Sequence, residues 1–270
     1  MSIDRTVDRF GDVAAIRDAL LARDDLPAAT RQNLVTRLSQ TLAGFVVDRA
    51  WLEEDRARRI ARKACEKATV TIAASSAKAE LRPLIRHLCE SGQLTAGLVL
   101  RALLSGNIAL FEEALAELSG VPLSRVSALV HDRFGSGLRP LFEKAQLPAS
   151  MHAAFKEAIK AMRDGLAEDT DDARLQRRMV ERVLAACESA DTGDIAPLIT
   201  LLRRFATEAA RDQARLFCDE IATEPPRLIY SAAARPIRSP DRAGLDPGAT
   251  FLPDIPSRYP GYINARIARR

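Results

Sequence analysis

The clearest candidate for chemistry is a run of cations. Arg56, Arg59, Lys63 and Lys67 recur at intervals of three and four residues, which places them on one face of a helix. Such a stripe suits the phosphates of a nucleic acid or the carboxylates of an acidic partner. It suits a solvated outer face equally well. Glu53, Glu54 and Asp55 come immediately before it. Acid at a helix start and base further along complements the helix dipole, and Glu54–Arg58 and Asp55–Arg59 stand at i,i+4. A second group of candidate contacts lies near the end of the chain, where Tyr259 and Tyr262 precede Arg266, Arg269 and Arg270.

Groups able to make and break bonds are sparse. His87, His131 and His152 are the only histidines, each isolated within a helical pattern. His131-Asp132-Arg133 could be an acid–base cluster, but adjacent residues on a helix point in different directions, so capping and dipole roles fit better. No nucleophile elbow, glycine-rich phosphate loop or HExxH pair occurs. Cys65, Cys89, Cys187 and Cys218 are far apart and form no CxxC pair. They read as buried free thiols in a reducing cytoplasm rather than as metal ligands or disulfides. The expectation is a non-enzymatic protein with no catalytic, cofactor-binding or metal-binding residues.

These side chains must be positioned by helices. Aromatic residues make up 5% of the chain and no convincing alternating strand pattern appears, which argues for close helix-on-helix packing. Residues 88–129 are the most informative. Gly92 ends one helix, a second carries Leu94, Leu98, Val99 and Leu103, and Ser105-Gly106-Asn107 closes it. A third runs from Ile108 to Leu118, and Ser119-Gly120 followed by Val121-Pro122 stops it and starts the next. Each apolar stripe is too narrow for a helix to be stable without neighbours on both sides. Further helices are expected over 10–22, from Pro27 through Val46, and over 53–74, 79–90, 138–145, 149–166, 173–188 and 195–222. Residues 1–8 read as a loose lead-in and Pro83 as a first-turn residue. The acidic run 167–172 is a weak internal boundary.

The helical pattern repeats. Leu20-Leu21, Leu26-Pro27, Leu34 and Leu38 match Leu141-Phe142, Leu147-Pro148, Phe155 and Ile159 at an offset of 121 residues. Gly106-Asn107-Ile108-Ala109 with Phe111 and Leu115 matches Gly193-Asp194-Ile195-Ala196 with Leu198 and Leu202 at an offset of 87. Helix starts rich in Leu and Pro recur by chance. Two matched pairs nevertheless suggest degenerate repeats of the HEAT kind. The run LTAGLVLRALLSGNIALFEEALAELSGVPLSRVSALVHD, with ARDDLP before it and LFEKAQLP after it, resembles an uncharacterised bacterial family of HEAT-like helical proteins, known as a domain of unknown function. The resemblance covers roughly residues 10 to 220. It implies an α-helical repeat fold and carries over no activity or site residues.

Charge separates the tail from the body. From Thr223 onward eight arginines face four acids, the whole of the net charge of +4, and residues 1–222 hold 32 bases and 32 acids. The tail also has eight of the fourteen prolines and all three tyrosines, a proline density that no helix tolerates. It reads as an extended basic segment that wraps onto the body or meets a partner. The expected fold is all-α, a degenerate HEAT-like α-solenoid over 1–222 with a Pro/Arg-rich tail over 223–270. No run of about 18 apolar residues is present, and the charged N-terminus lacks the apolar core of a signal peptide, so a cytoplasmic location is expected. The expected function is a protein-interaction scaffold or regulatory adaptor. The alternative is nucleic-acid binding through the basic helix and the tail.

Overall fold

A computed structural model describes residues 3–23, 25–132, 134–164, 172–189 and 195–223. Among them are twelve α-helices, one 3-10 turn at Ala149–Met151 and no strand. In chain order the helices are α1 Ile3–Phe10, α2 Ala14–Leu21, α3 Ala28–Asp48, α4 Glu54–Ser75, α5 Lys78–Glu90, α6 Ala96–Leu104, α7 Ile108–Ser119, α8 Leu123–His131, α9 Leu138–Lys144, α10 His152–Arg163, α11 Asp172–Ser189 and α12 Ala196–Thr223. The tail of 224–270, the acidic run up to Asp171 and the Gly193-Asp194 half of the second repeat lie outside the described residues.

The joints obey local chemistry. The Thr95 hydroxyl accepts the Leu98 N–H at 3.1 Å and opens α6, and the Asn107 side-chain oxygen accepts the Leu110 N–H at 3.1 Å and opens α7. Gly120 ends α7 at φ +62°, a left-handed position that costs a residue without a Cβ nothing. Pro27 and Pro148, paired in the sequence repeat, stand just before a helix in nearly the same conformation, φ/ψ −59°/146° and −56°/130°.

α6 lies at the centre. Every residue from Leu98 to Leu104 is buried, so the narrow stripe expected of it is wrong. A helix apolar nearly all round must be enclosed, and α4, α7, α10 and α11 all pack against α6. One continuous apolar core runs from Ala28 through α5, α6 and α7, by way of Phe111, Phe142 and Phe155, to Leu202 and Phe205 of α12. It includes Met179, Val180 and Val183 of α11, so the packing continues across the segment 167–172.

Two expectations fail near the N-terminus and one in α5. Residues 3–10 form a helix whose Val7 is fully buried with Leu26 and Leu34 in a small second core. The helix expected over 10–22 begins only at Ala14. Pro83 sits inside α5, past the first turn, where it removes one main-chain hydrogen bond. The thiols also differ from expectation. All four are free, but only Cys187 is buried, and Cys89 and Cys218 are exposed.

Candidate interaction surface

The basic stripe lies on α4 as expected, but its members have different surroundings. Arg56 and Arg59 are exposed, and Lys63 is partly buried. Lys67 is engaged within the protein, its Nζ donating to both carboxylate oxygens of Asp212 on α12 at 2.7 and 2.6 Å. Arg58 pairs with Glu54 one turn back. The apolar residues of α4 are unevenly buried. Ala57 is buried, whereas Ile60 and Ala64 are exposed, and the main buried contacts come later at Thr69, Val70 and Ala73.

Behind the stripe stands Arg101 of α6, 4% exposed. Its guanidinium donates two hydrogen bonds to Glu208 of α12 at 2.8 and 3.1 Å, lies 4.4 Å from the centre of the Phe205 ring, and comes within 3.9 Å of Glu66 on α4. A buried cation needs this fork-to-carboxylate geometry to offset its lost hydration. Burial pushes the Glu66 carboxyl above its ordinary value, while Arg101, Arg62 and Arg204 pull it down. Burial pushes the Lys63 ammonium below its ordinary value; Arg204 adds to that, and Glu208 opposes it. α4, α6 and α12 are thus tied by a shared charge cluster. The sequence contained a signal for it, since Arg101 is the only charge within the run Ala96–Leu104. A lone charge in an enclosed apolar helix demands a partner.

The second surface is the α3–α4 hairpin. After Leu34 no residue of α3 is buried, and before Thr69 the only buried residue of α4 is Ala57. Leu42 is 54% exposed, Phe45 46% and Trp51 64%. Phe45 and Trp51 meet edge to face at 5.8 Å between centroids, and the Arg49 guanidinium lies over the Phe45 ring at 4.8 Å. Between the two helices opens a cleft of about 610 Å³, lined by Ala43 and Val47 of α3 and Ala57 and Ala61 of α4, with the charges of Arg58 and Arg62 also on its wall. Gln93 Oε1 accepts from Thr36 Oγ1 at 3.2 Å and from Nε2 of the fully buried Gln32 at 3.3 Å. Trp51 is the single tryptophan of the chain. Its exposure depends on what stands beside the hairpin.

Two of the histidines have defined partners. His131 Nε2 lies 3.0 Å from Glu112 Oε1, which also accepts from Ser127 Oγ at 3.2 Å. The acid therefore stands between the hydroxyl and the imidazole, the reverse of an order in which an imidazole bridges nucleophile and acid. His152 approaches the Leu147 carbonyl at 3.1 Å and packs on Phe142. Among the described residues no group of three His, Cys, Asp or Glu side chains could hold a metal, and no helix is long and apolar enough to cross a membrane. The candidate contacts Tyr259, Tyr262, Arg266, Arg269 and Arg270 lie outside the described residues.

A family model described as an uncharacterised protein conserved in bacteria (DUF2336) matches residues 1–193. No curated protein and no solved structure matches the chain.

Proposed function

The chain belongs to the bacterial DUF2336 family, and from that premise we propose that it is a non-enzymatic protein-interaction scaffold or adaptor whose docking surface is the α3–α4 hairpin. One observation carries this reading: Leu42, Phe45 and Trp51 stand exposed on the hairpin, with Phe45 and Trp51 held edge to face and Arg49 over the Phe45 ring. Aromatic anchors of this kind dominate binding energy when a partner desolvates them. The matching partner presents an apolar helix face, laid along the hairpin as in helix-in-groove recognition. A HEAT-like repeat origin is part of the proposal. It is supported by the paired Leu26-Pro27 and Leu147-Pro148 joints, whose prolines share backbone conformation and which bury Leu26 and Leu147, Leu34 and Phe155, although Leu21 is exposed where Phe142 is buried. The ties from α4 and α6 to α12 close the stack more than an open solenoid requires. The cytoplasmic placement rests on the four free thiols.

The test begins with sedimentation of the full chain over a range of concentrations, which separates docking to a second copy from docking to another protein. Capture is then compared between the wild type and the double variant Phe45→Ser/Trp51→Ser. The proposal expects the variant to lose its specific partner while its thermal unfolding stays unchanged. A partner retained by the variant, or a turnover measured on any small molecule, would defeat it.

The nucleic-acid alternative keeps Arg56 and Arg59, which are exposed, and loses Lys67, which Asp212 occupies. It predicts duplex binding that weakens steeply with salt and falls in Arg59→Glu/Lys63→Glu. A response flat in salt counts against it.

A further inference from the structure

The charges along α4 and α12 do not balance. Lys67 is matched by Asp212, and Arg101 by Glu208. One and two turns earlier on α4, and one turn earlier than Glu208 on α12, the partners run out. Arg59, Arg62 and Lys63 of α4 and Arg204 of α12 have neither an ion pair nor a side-chain hydrogen bond with any described residue. Glu66 and Glu208 are the acids that share their field, and both face Arg101. Lys63 sits partly buried among these cations, and burial, Arg204 and Arg59 all disfavour its charged form, with Glu208 acting the other way. An ammonium so placed is costly until an anion stands beside it.

We propose that Arg59, Arg62, Lys63 and Arg204 form a binding site for a small phosphoryl compound, its phosphate seated at the Lys63 ammonium and flanked by the guanidinium groups. The chemistry favours phosphate over a single carboxylate. Lone carboxylates along these helices already take single cations, as Asp212 takes Lys67. Four cations without acids match a centre bearing several charged oxygens, and a planar guanidinium holds two of those at once. From Arg59 to Lys63 the helix rises only about 6 Å. That leaves room for one or two phosphoryl groups rather than for the length of a nucleic-acid strand. The site lies apart from the Phe45–Trp51 anchors and does not depend on the scaffold reading.

Inorganic pyrophosphate is the probe, titrated into the full chain at low ionic strength. It should raise the melting temperature saturably, while sodium chloride at matched ionic strength should not. Arg204→Glu places an anion of the protein's own beside Lys63. Its melting temperature should rise in buffer alone, and its pyrophosphate affinity should fall about tenfold or more. Lys63→Ala should lose affinity similarly with helical content unchanged. The absence of a saturable shift in the wild type, or a shift equally large in Arg204→Glu, overturns the site. Duplex DNA that binds equally well before and after Arg204→Glu, while pyrophosphate has no effect, overturns it as well. Trp51→Ser should keep the pyrophosphate response, so this proposal and the scaffold reading can fail separately.

Discussion

Arg101 shows how much one side chain can commit a fold to. It is a cation inside an otherwise apolar helix, and its hydration is replaced by Glu208, by the more distant Glu66 and by the face of Phe205. Removing one member of such a pair strands the other charge, so Glu208→Ala should cost about 3 kcal/mol, read by chemical denaturation. Replacing both members at once, Arg101→Met/Glu208→Leu, strands neither charge of the pair and should cost less than Glu208→Ala. Equal losses in the two variants would show that the pair is not the source of the cost. Glu66 supplies a pH test. Burial holds its folded pKa above the ordinary 4.5, so the folded state binds its proton more tightly than the unfolded chain. The resulting penalty is present above the raised folded pKa and is relieved as pH falls through it toward 4.5. Relative to Glu66→Gln, the wild type should therefore gain melting temperature on acidification across that window. A relative loss would mean that its cationic neighbours outweigh burial.

The helices separate into those whose ends and faces are written locally and those whose burial is imposed by neighbours. The joints around α6 and α7 were legible because Thr95, Asn107 and Gly120 each have a local reason to stand there. Asn107→Ala should cost about 1 kcal/mol of stability by thermal or denaturant unfolding. α1 was not legible, since Met1 to Asp8 has few apolar residues, and Val7 with Ile3 beside it docks the helix onto Leu26 and Leu34. The apolar pattern of α6 was read as a stripe because Leu98, Val99 and Leu103 satisfy helical spacing. That spacing also holds in a helix buried on every side, and periodicity alone does not separate the two. Truncation does separate them. Leu104→Ala should cost about 2–5 kcal/mol, whereas Leu42→Ala on the exposed hairpin should stay within about 0.5 kcal/mol. Paired denaturation curves would check the contrast.

At the scale of the molecule, the α3–α4 hairpin and the closed core make opposite demands on apolar residues. The core takes Phe111, Phe142 and Phe155 out of water, and the hairpin leaves Phe45 and Trp51 in it. Because Trp51 is the only tryptophan, its fluorescence reports on the proposed docking surface alone. Emission from the free protein should be red-shifted and readily quenched by acrylamide, and a docked partner should shift it to the blue and protect it. Emission already protected in dilute, monomeric protein would remove Trp51 from the exposed surface. Helix type, the positions of the joints and the candidate cations of α4 could be read along the chain, because capping, left-handed glycines and three- and four-residue spacing act between near neighbours. Three things came only from packing: which cations are already paired, which helix is enclosed and which aromatics are left outside. Lys67 meets a residue 145 positions away and Arg101 one 107 away, and no local rule reports an encounter between segments so distant in the chain.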